Sequence, residues 1–194
     1  MALALLVLAP LAPIRAATAQ EQVEGNRYAN ARYGIEITKP SGWYFITAGM
    51  VLDLAQKAAG ATRPRLDPDP VKAAGFAVIV SKAPALGRGF EPQVILLVRE
   101  EERAPADLVA ACERLRGGMT EPETVRATQK IQVDGKPAAR LDFLGYVDGA
   151  AVRATALCTF RDRRAYVVVG QALVTDFDAD AVTFDAILQS FHAR

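Results

Sequence analysis

Apolar and polar positions along this chain follow two periods, and the switch between them marks its elements. Tyr33-Gly34-Ile35-Glu36-Ile37-Thr38 alternates singly, as a half-buried strand does, and stops at Lys39-Pro40-Ser41-Gly42. A second strand is expected from Trp43 to Ile46. The apolar spacing then lengthens: Val51, Leu54, Ala55 and Ala58 share one face of a helix that opens on an N-cap Thr47 and stops at Gly60. Asp67-Pro68-Asp69-Pro70 is too proline-rich for regular structure, so residues 61–74 read as a loop. Strands are expected again over 75–81 and 94–99, joined by a glycine-containing loop over 83–92. The next helix has Pro105 in its first turn and Gly117 just past its end. Its buried stripe is Leu108, Ala111, Cys112 and Leu115.

Residues 123–174 read as a four-stranded antiparallel meander. Its turns are Asp134-Gly135, Asp148-Gly149 and the charged Arg161-Asp162-Arg163-Arg164. A two-residue loop at Asp148-Gly149 sets Phe143 opposite Ala154 and Asp142 opposite Thr155, so like faces meet. The same loop at Asp134-Gly135 would put Ile131 on the face of Arg140. A three-residue loop that includes Lys136 is therefore expected there, with Ala127 opposite Phe143. Val152, Ala154, Ala156, Cys158 and Phe160 form one row of the third strand, and Arg153, Thr155, Leu157 and Thr159 the other. Ala165 to Val174 is almost continuously apolar, as in a central strand covered on both faces. A last helix follows Thr175 and runs to about His192 on Phe177, Ala181, Phe184, Leu188 and Phe191, with Thr175 and Asp178 as a capping box. The sum is an α+β fold, an α/β/α sandwich on a mainly antiparallel sheet with the order ββαββαββββα.

Composition narrows the class. The chain has 194 residues, 51% apolar and 23% charged, which suits an ordinary globular protein with room for one substantial core. The formal net charge is +1, so nothing steers it toward nucleic acid. The Ala/Leu/Val-rich start, the small-x-small site Ala17-Thr18-Ala19 and the polar residues after it read as a signal peptide over 1–19. No basic residue precedes the apolar run, which is atypical. Residues 20–27 read as a flexible lead-in, and 28–192 as a single domain. No later stretch could span a membrane, so the expected location is the periplasm or the extracellular space. Cys112 and Cys158 are the only cysteines. In an oxidising compartment they could pair, or they could remain two buried thiols.

Tyr28, Asn30, Tyr33-Gly34-Ile35 and Pro40-x-Gly42-Trp43 form an opening motif, and Phe184-x-x-Ile187-Leu188-x-Ser190-Phe191 a closing one. Together with the element order they resemble the PsbP-like superfamily, which includes the DcrB-type envelope proteins. The resemblance covers about residues 28–192. It implies a fold and a habit of accessory or binding roles without known catalysis, and it carries over no functional residues.

The chemistry-bearing residues are few. The one histidine, His192, lies near the C-terminus at the expected end of a helix, so a His-based triad or zinc site is hard to build. No nucleotide-loop or nucleophile-elbow motif is present. No catalytic residue, metal ligand or cofactor is therefore assigned. Asp176-Phe177-Asp178-Ala179-Asp180 begins like a calcium loop but has Ala181 and Ile187 where Gly and Glu are needed; it reads as acidic residues at a helix start. Arg88 and Phe90 in the 83–92 loop are candidate partner contacts. Lys130, Arg140, Asp142, Tyr146, Arg153 and Thr155 are expected on one polar sheet face, with Arg140, Asp142 and Arg153 as candidate groove residues. The expected function is a non-enzymatic accessory or binding protein of the bacterial envelope, its partner another envelope protein. The rival readings are a small-molecule- or metal-binding periplasmic protein and a carboxylate-dependent hydrolase.

Overall fold

The computed structural model describes residues 21–59, 75–84 and 90–194. The expected signal peptide, the 61–74 loop and Arg88 lie outside them. The described residues form two antiparallel sheets and three α-helices, an α+β fold.

The larger sheet has seven strands. Its strands are β4 (Tyr44–Thr47), β5 (Val78–Ser81), β6 (Gln93–Glu100), β7 (Thr120–Val133), β8 (Lys136–Val147), β9 (Ala150–Arg161) and β10 (Arg164–Leu173). Their spatial order is β4-β5-β6-β10-β9-β8-β7. The apolar β10 is thus central, between β6 and β9, as its composition requires. All three meander turns have two residues. Asp134-Gly135, Asp148-Gly149 and Asp162-Arg163 all hold positive φ, the geometry that matches strand twist in tight hairpins.

The three-residue loop expected after Val133 does not form. Val133 pairs with Lys136 and Ile131 with Ala138, which leaves Ile131 on the face of Arg140. The conflict is resolved in two ways. Ile131 and Val133 pack on the main core, so that end of the face is apolar. Farther along β7, register shifts bring Arg126 opposite Asp142 and Thr124, rather than Ala127, opposite Phe143.

Strand β3 (Ile35–Thr38) does not join β4, although the two are consecutive. It belongs to a second sheet with β1 (Glu21–Glu24), β2 (Arg27–Asn30) and β11 (His192–Ala193), in the order β1-β2-β3-β11. Gly42, at φ +79°, lets the chain turn between the sheets. The lead-in expected to be flexible is therefore a hairpin. Polar composition misleads here because β1 is mostly exposed and gains its order from backbone pairing with β2.

The three helices are α1 (Ala48–Ala59), α2 (Leu108–Glu113, continued by a 3-10 segment Arg114–Gly118) and α3 (Phe177–Gln189). Thr47 Oγ1 accepts the Met50 N–H at 3.2 Å, a cap for α1. Helix α2 starts three residues beyond Pro105, because the Asp107 carboxylate accepts from Val109 and Ala110 N–H. Helix α3 ends at Gln189 rather than His192, since the last residues leave it to pair with β3. The Thr175–Asp178 capping box does not form; Thr175 instead bonds its neighbour Asp176.

The sheet's two faces carry different cores. One face packs Leu157, Tyr166, Val168 and Ala172 with Trp43, Phe177, Phe184 and Phe191, and with Tyr28, Ile35 and Ile37 of the small sheet. Gly170 lets α3 approach, because a Cβ there would lie 3.0 Å from the Phe184 ring. The other face packs Leu141, Phe143, Ala154 and Ala156 against α2. Cys112 of α2 and Cys158 of β9 form a disulfide across that core, with Cα atoms 5.8 Å apart.

Candidate functional site

The polar face predicted from the meander lies on the α3 side of the sheet, beside that helix. Arg140 and Asp142 of β8 and Arg153 and Thr155 of β9 all point there, because residues two apart on a strand share a face. Asp142 stands opposite Thr155, as the hairpin spacing predicts. Both are buried, at 7% and 2% exposure, so this is an interior polar cluster under side chains.

Each arginine is fixed from α3. Arg140 Nη2 donates to Asp185 at 2.7 Å, and Arg153 Nη1 donates to Asp178 at 2.9 Å. The Arg153 guanidinium also lies 4.5 Å from the Phe177 ring centroid, a cation–π contact. Arg126 and Arg140 place their Nε atoms 3.6 Å from the Asp142 carboxylate, which is ion-pair range but beyond a hydrogen bond. Three arginines and three aspartates thus balance. Four fully buried side-chain nitrogen and oxygen atoms among the described residues have no hydrogen-bond partner, and all four are here: Arg140 Nε, Asp142 Oδ1, Arg153 Nε and Thr155 Oγ1.

Two of the predicted members sit apart. Lys130 pairs with Ala139 and so belongs to the opposite face, a consequence of the two-residue turn. Tyr146 shares the face but is 43% exposed at its outer end. Sequence reasoning missed Arg126, Asp178 and Asp185. The register shifts in β7 hid the first, Asp178 read only as an acidic residue at a helix start, and Asp185 was not singled out. Their i, i+7 spacing on α3 was the available signal.

The remaining predicted residues are dispersed. Phe90 is half-buried beside β6. His192 does not close a helix; its Nδ1 lies 2.6 Å from Asp134 Oδ1, and Asp134 Oδ2 accepts the Ala193 N–H at 3.1 Å. Asp180 is buried and receives Lys82 Nζ at 3.0 Å.

A second buried polar contact ties β1 to the start of α1. Burial pushes the Glu21 carboxyl above its ordinary range, while hydrogen bonds from Tyr28 and Thr47 pull the other way. Burial also pushes the Tyr28 hydroxyl upward. On the small sheet's surface, an open cleft of about 220 Å³ has Arg27, Glu36 and Arg194 in its lining, and both arginines pair with Glu36. No group of three potential metal ligands occurs among the described residues, and no described helix is long and apolar enough to cross a membrane.

This architecture is a PsbP-like fold. The cyanobacterial PsbP protein CyanoP from Synechocystis is similar over 96% of this chain and 99% of its own, with a TM-score of 0.54 and 16% identity. LpqN of Mycobacterium tuberculosis, described as involved in cell envelope biogenesis, is similar over 81% of both chains, with a TM-score of 0.52 and 12% identity. PA94 of Pseudomonas aeruginosa, a protein of unknown function, matches 60% of this chain and 81% of its own at a TM-score of 0.50 and 18% identity. No family model matches the chain, and no curated protein matches its sequence.

Proposed function

We propose that the protein is an exported, non-enzymatic accessory protein of the bacterial envelope, a member of the PsbP-like superfamily that works by binding another envelope protein. One observation carries the binding reading. Met50 and Leu54, four residues apart on α1, are 59% and 70% exposed, so the helix turns an apolar pair outward. Sequence periodicity had assigned Leu54 to the core; in the structure it is instead exposed. The α1 face therefore has the character of a contact surface.

Two further features support export. The buried disulfide suits an oxidising compartment, and the first 19 residues have the pattern of a secretory signal. The fold shared with CyanoP and LpqN is in keeping with an envelope role.

Site-specific photo-crosslinking in the native host tests the reading. A crosslinker at position 50 or 54 is expected to capture one dominant envelope protein. A crosslinker at Val182, 82% exposed on α3, serves as the control. Equal capture from all three positions, or none from 50 and 54, would overturn the proposed surface.

A further inference from the structure

We infer that the free edge of β1 takes an added strand: an extended partner segment with apolar residues on one face and basic residues on the other. The inference rests on the α1 contact surface proposed above and names the kind of partner that covers it.

The edge follows from the hairpin. Only Gly25 and Asn26 separate β1 from β2, and Glu24 pairs with Arg27 across that turn. In such a hairpin the pair beside the turn is hydrogen-bonded and the next is not, in alternation. The Asn26 carbonyl accepts the Lys39 N–H at 2.9 Å from the β3 side, which agrees with that alternation along β2. Gln22 and Glu24 therefore direct their N–H and C=O groups to β2. Glu21 and Val23 turn theirs outward, where no described strand meets them. The side chains tie this edge to α1. Glu21 and Val23 share a face, and the Glu21 carboxylate reaches the first turn of α1, 3.0 Å from where a Gly49 Cβ would lie. Met50 and Leu54 run on from that turn, and Val23 is itself 49% exposed. Outward backbone groups and uncovered apolar side chains thus occupy neighbouring elements that touch.

The other edges of the two sheets are blunted or short. β7 carries Pro122, Lys130 and three register shifts, all of which hinder pairing with a further strand. β11 has two residues, and β4 runs directly into α1. β1 pairs with β2 in unbroken register and holds no proline and no lysine. It is thus suited to strand addition, in which main-chain bonds give affinity and alternate side chains give specificity. The side chains name the segment. A residue set beside Val23 shares its face and meets the α1 side, so it is apolar. The next residue along the added strand lies beside Glu24 on the opposite face, so it is basic. Arg27, across from Glu24 on β2, is already held by Glu36 at 2.7 Å. Asp53, exposed on the Met50–Leu54 face of α1, favours a cation as well.

The test is amide hydrogen exchange by NMR on the mature protein, titrated with the peptide acetyl-Lys-Val-Lys-Val-Lys-Val-amide. Its counterpart with Glu in place of Lys is the control. The basic peptide is expected to slow exchange at the Val23 amide about tenfold or more and to shift the Met50 and Leu54 methyl signals. Val23→Pro removes the outward N–H and leaves the β1–β2 ladder, as proline does on an edge strand. It is expected to weaken peptide binding about tenfold, the loss of one hydrogen bond, with the Ala29 amide still protected. The inference is overturned if the basic peptide leaves Val23 exchange unchanged, if the acidic peptide binds as well, or if a folded Val23→Pro variant binds unchanged. Methyl shifts on α1 without protection of Val23 would mark a partner that packs on the helix alone, and protection that grows with protein concentration before any peptide is added would mark a second copy; either overturns it. If Val23→Pro loses the Ala29 protection, the comparison of the two peptides on the wild type decides. Peptide protection without capture from positions 50 and 54 in the host would sink the envelope-partner reading alone. Capture without peptide protection would sink strand addition alone.

Discussion

Gly34 holds φ +63°, and a Cβ there would lie 2.3 Å from the carbonyl oxygen of Arg194. Backbone conformation and contact thus both demand glycine at this position of the opening motif. Gly34→Ala is expected to cost about 1–3 kcal/mol in a denaturant titration. Trp43 stacks edge-on against Phe184 with centroids 6.1 Å apart and is 6% exposed. Trp43→Ala is expected to cost about 3–5 kcal/mol by the same measurement; a loss below about 1 kcal/mol would remove Trp43 from the core. Glu21 gives a pH-dependent prediction. Its folded pKa is raised above 4.5, so the folded state holds its proton more tightly than the unfolded chain. Stability is then lost as pH rises from the unfolded value through the folded one. Glu21→Gln mimics the protonated side chain. It is expected to raise the unfolding midpoint at neutral pH and to make little difference below about pH 3, where both states are protonated. Glu36 has the opposite sign. Its hydrogen-bonded pair with Arg27 holds its pKa low, so its contribution is present above 4.5 and fades as pH falls through the folded value.

At the scale of elements, α2 shows how little a short helix can do alone. Six residues are below the length at which a helix is stable in water, and its periodicity supplies only one narrow apolar stripe. The Asp107 cap and the Cys112–Cys158 disulfide hold it to the sheet. The disulfide spans 46 residues, and the loop-entropy relation gives about 4 kcal/mol for that separation. A Cys112→Ala/Cys158→Ala double variant is expected to lose about this much in a denaturant titration without reductant. A loss near zero would show that packing alone holds α2. The hairpins are the opposite case. Asp-Gly turns made the meander legible in sequence because the local geometry matches strand twist. The irregular pairing of β7 was not legible, since register shifts depend on the partner strand.

Across the whole molecule, the C-terminal strand links parts far apart in sequence. Residues 192–193 pair with β3, while Asp134, in the β7–β8 turn of the large sheet, bonds both His192 and Ala193. Arg161 reaches the Ala193 carbonyl, and Tyr166 donates to the Tyr33 carbonyl at 2.9 Å. One aspartate thus serves both a hairpin turn and the joint between two sheets. Asp134→Gly keeps a turn that tolerates positive φ and removes the carboxylate. It is expected to raise hydrogen exchange at the Ala193 and Arg194 amides while leaving the β9–β10 amides protected. Unchanged exchange at the C-terminus would show that strand pairing suffices.

The sequence by itself determined the α+β class, the meander with its Asp-Gly turns, the central β10, the buried aromatic stripe of α3 and the Asp142–Thr155 pairing. Each follows from side-chain period or turn chemistry, and both are local. Only the tertiary structure decided that β3 and β4 belong to different sheets, that a polar lead-in is a hairpin, and that Leu54 faces outward. It also decided which arginines meet Asp142: Lys130 went to the other face, and Arg126, Asp178 and Asp185 came in. Those outcomes depend on which strand lies beside which and on how a helix crosses the sheet. Contacts between residues tens of positions apart leave no period in the chain to be read.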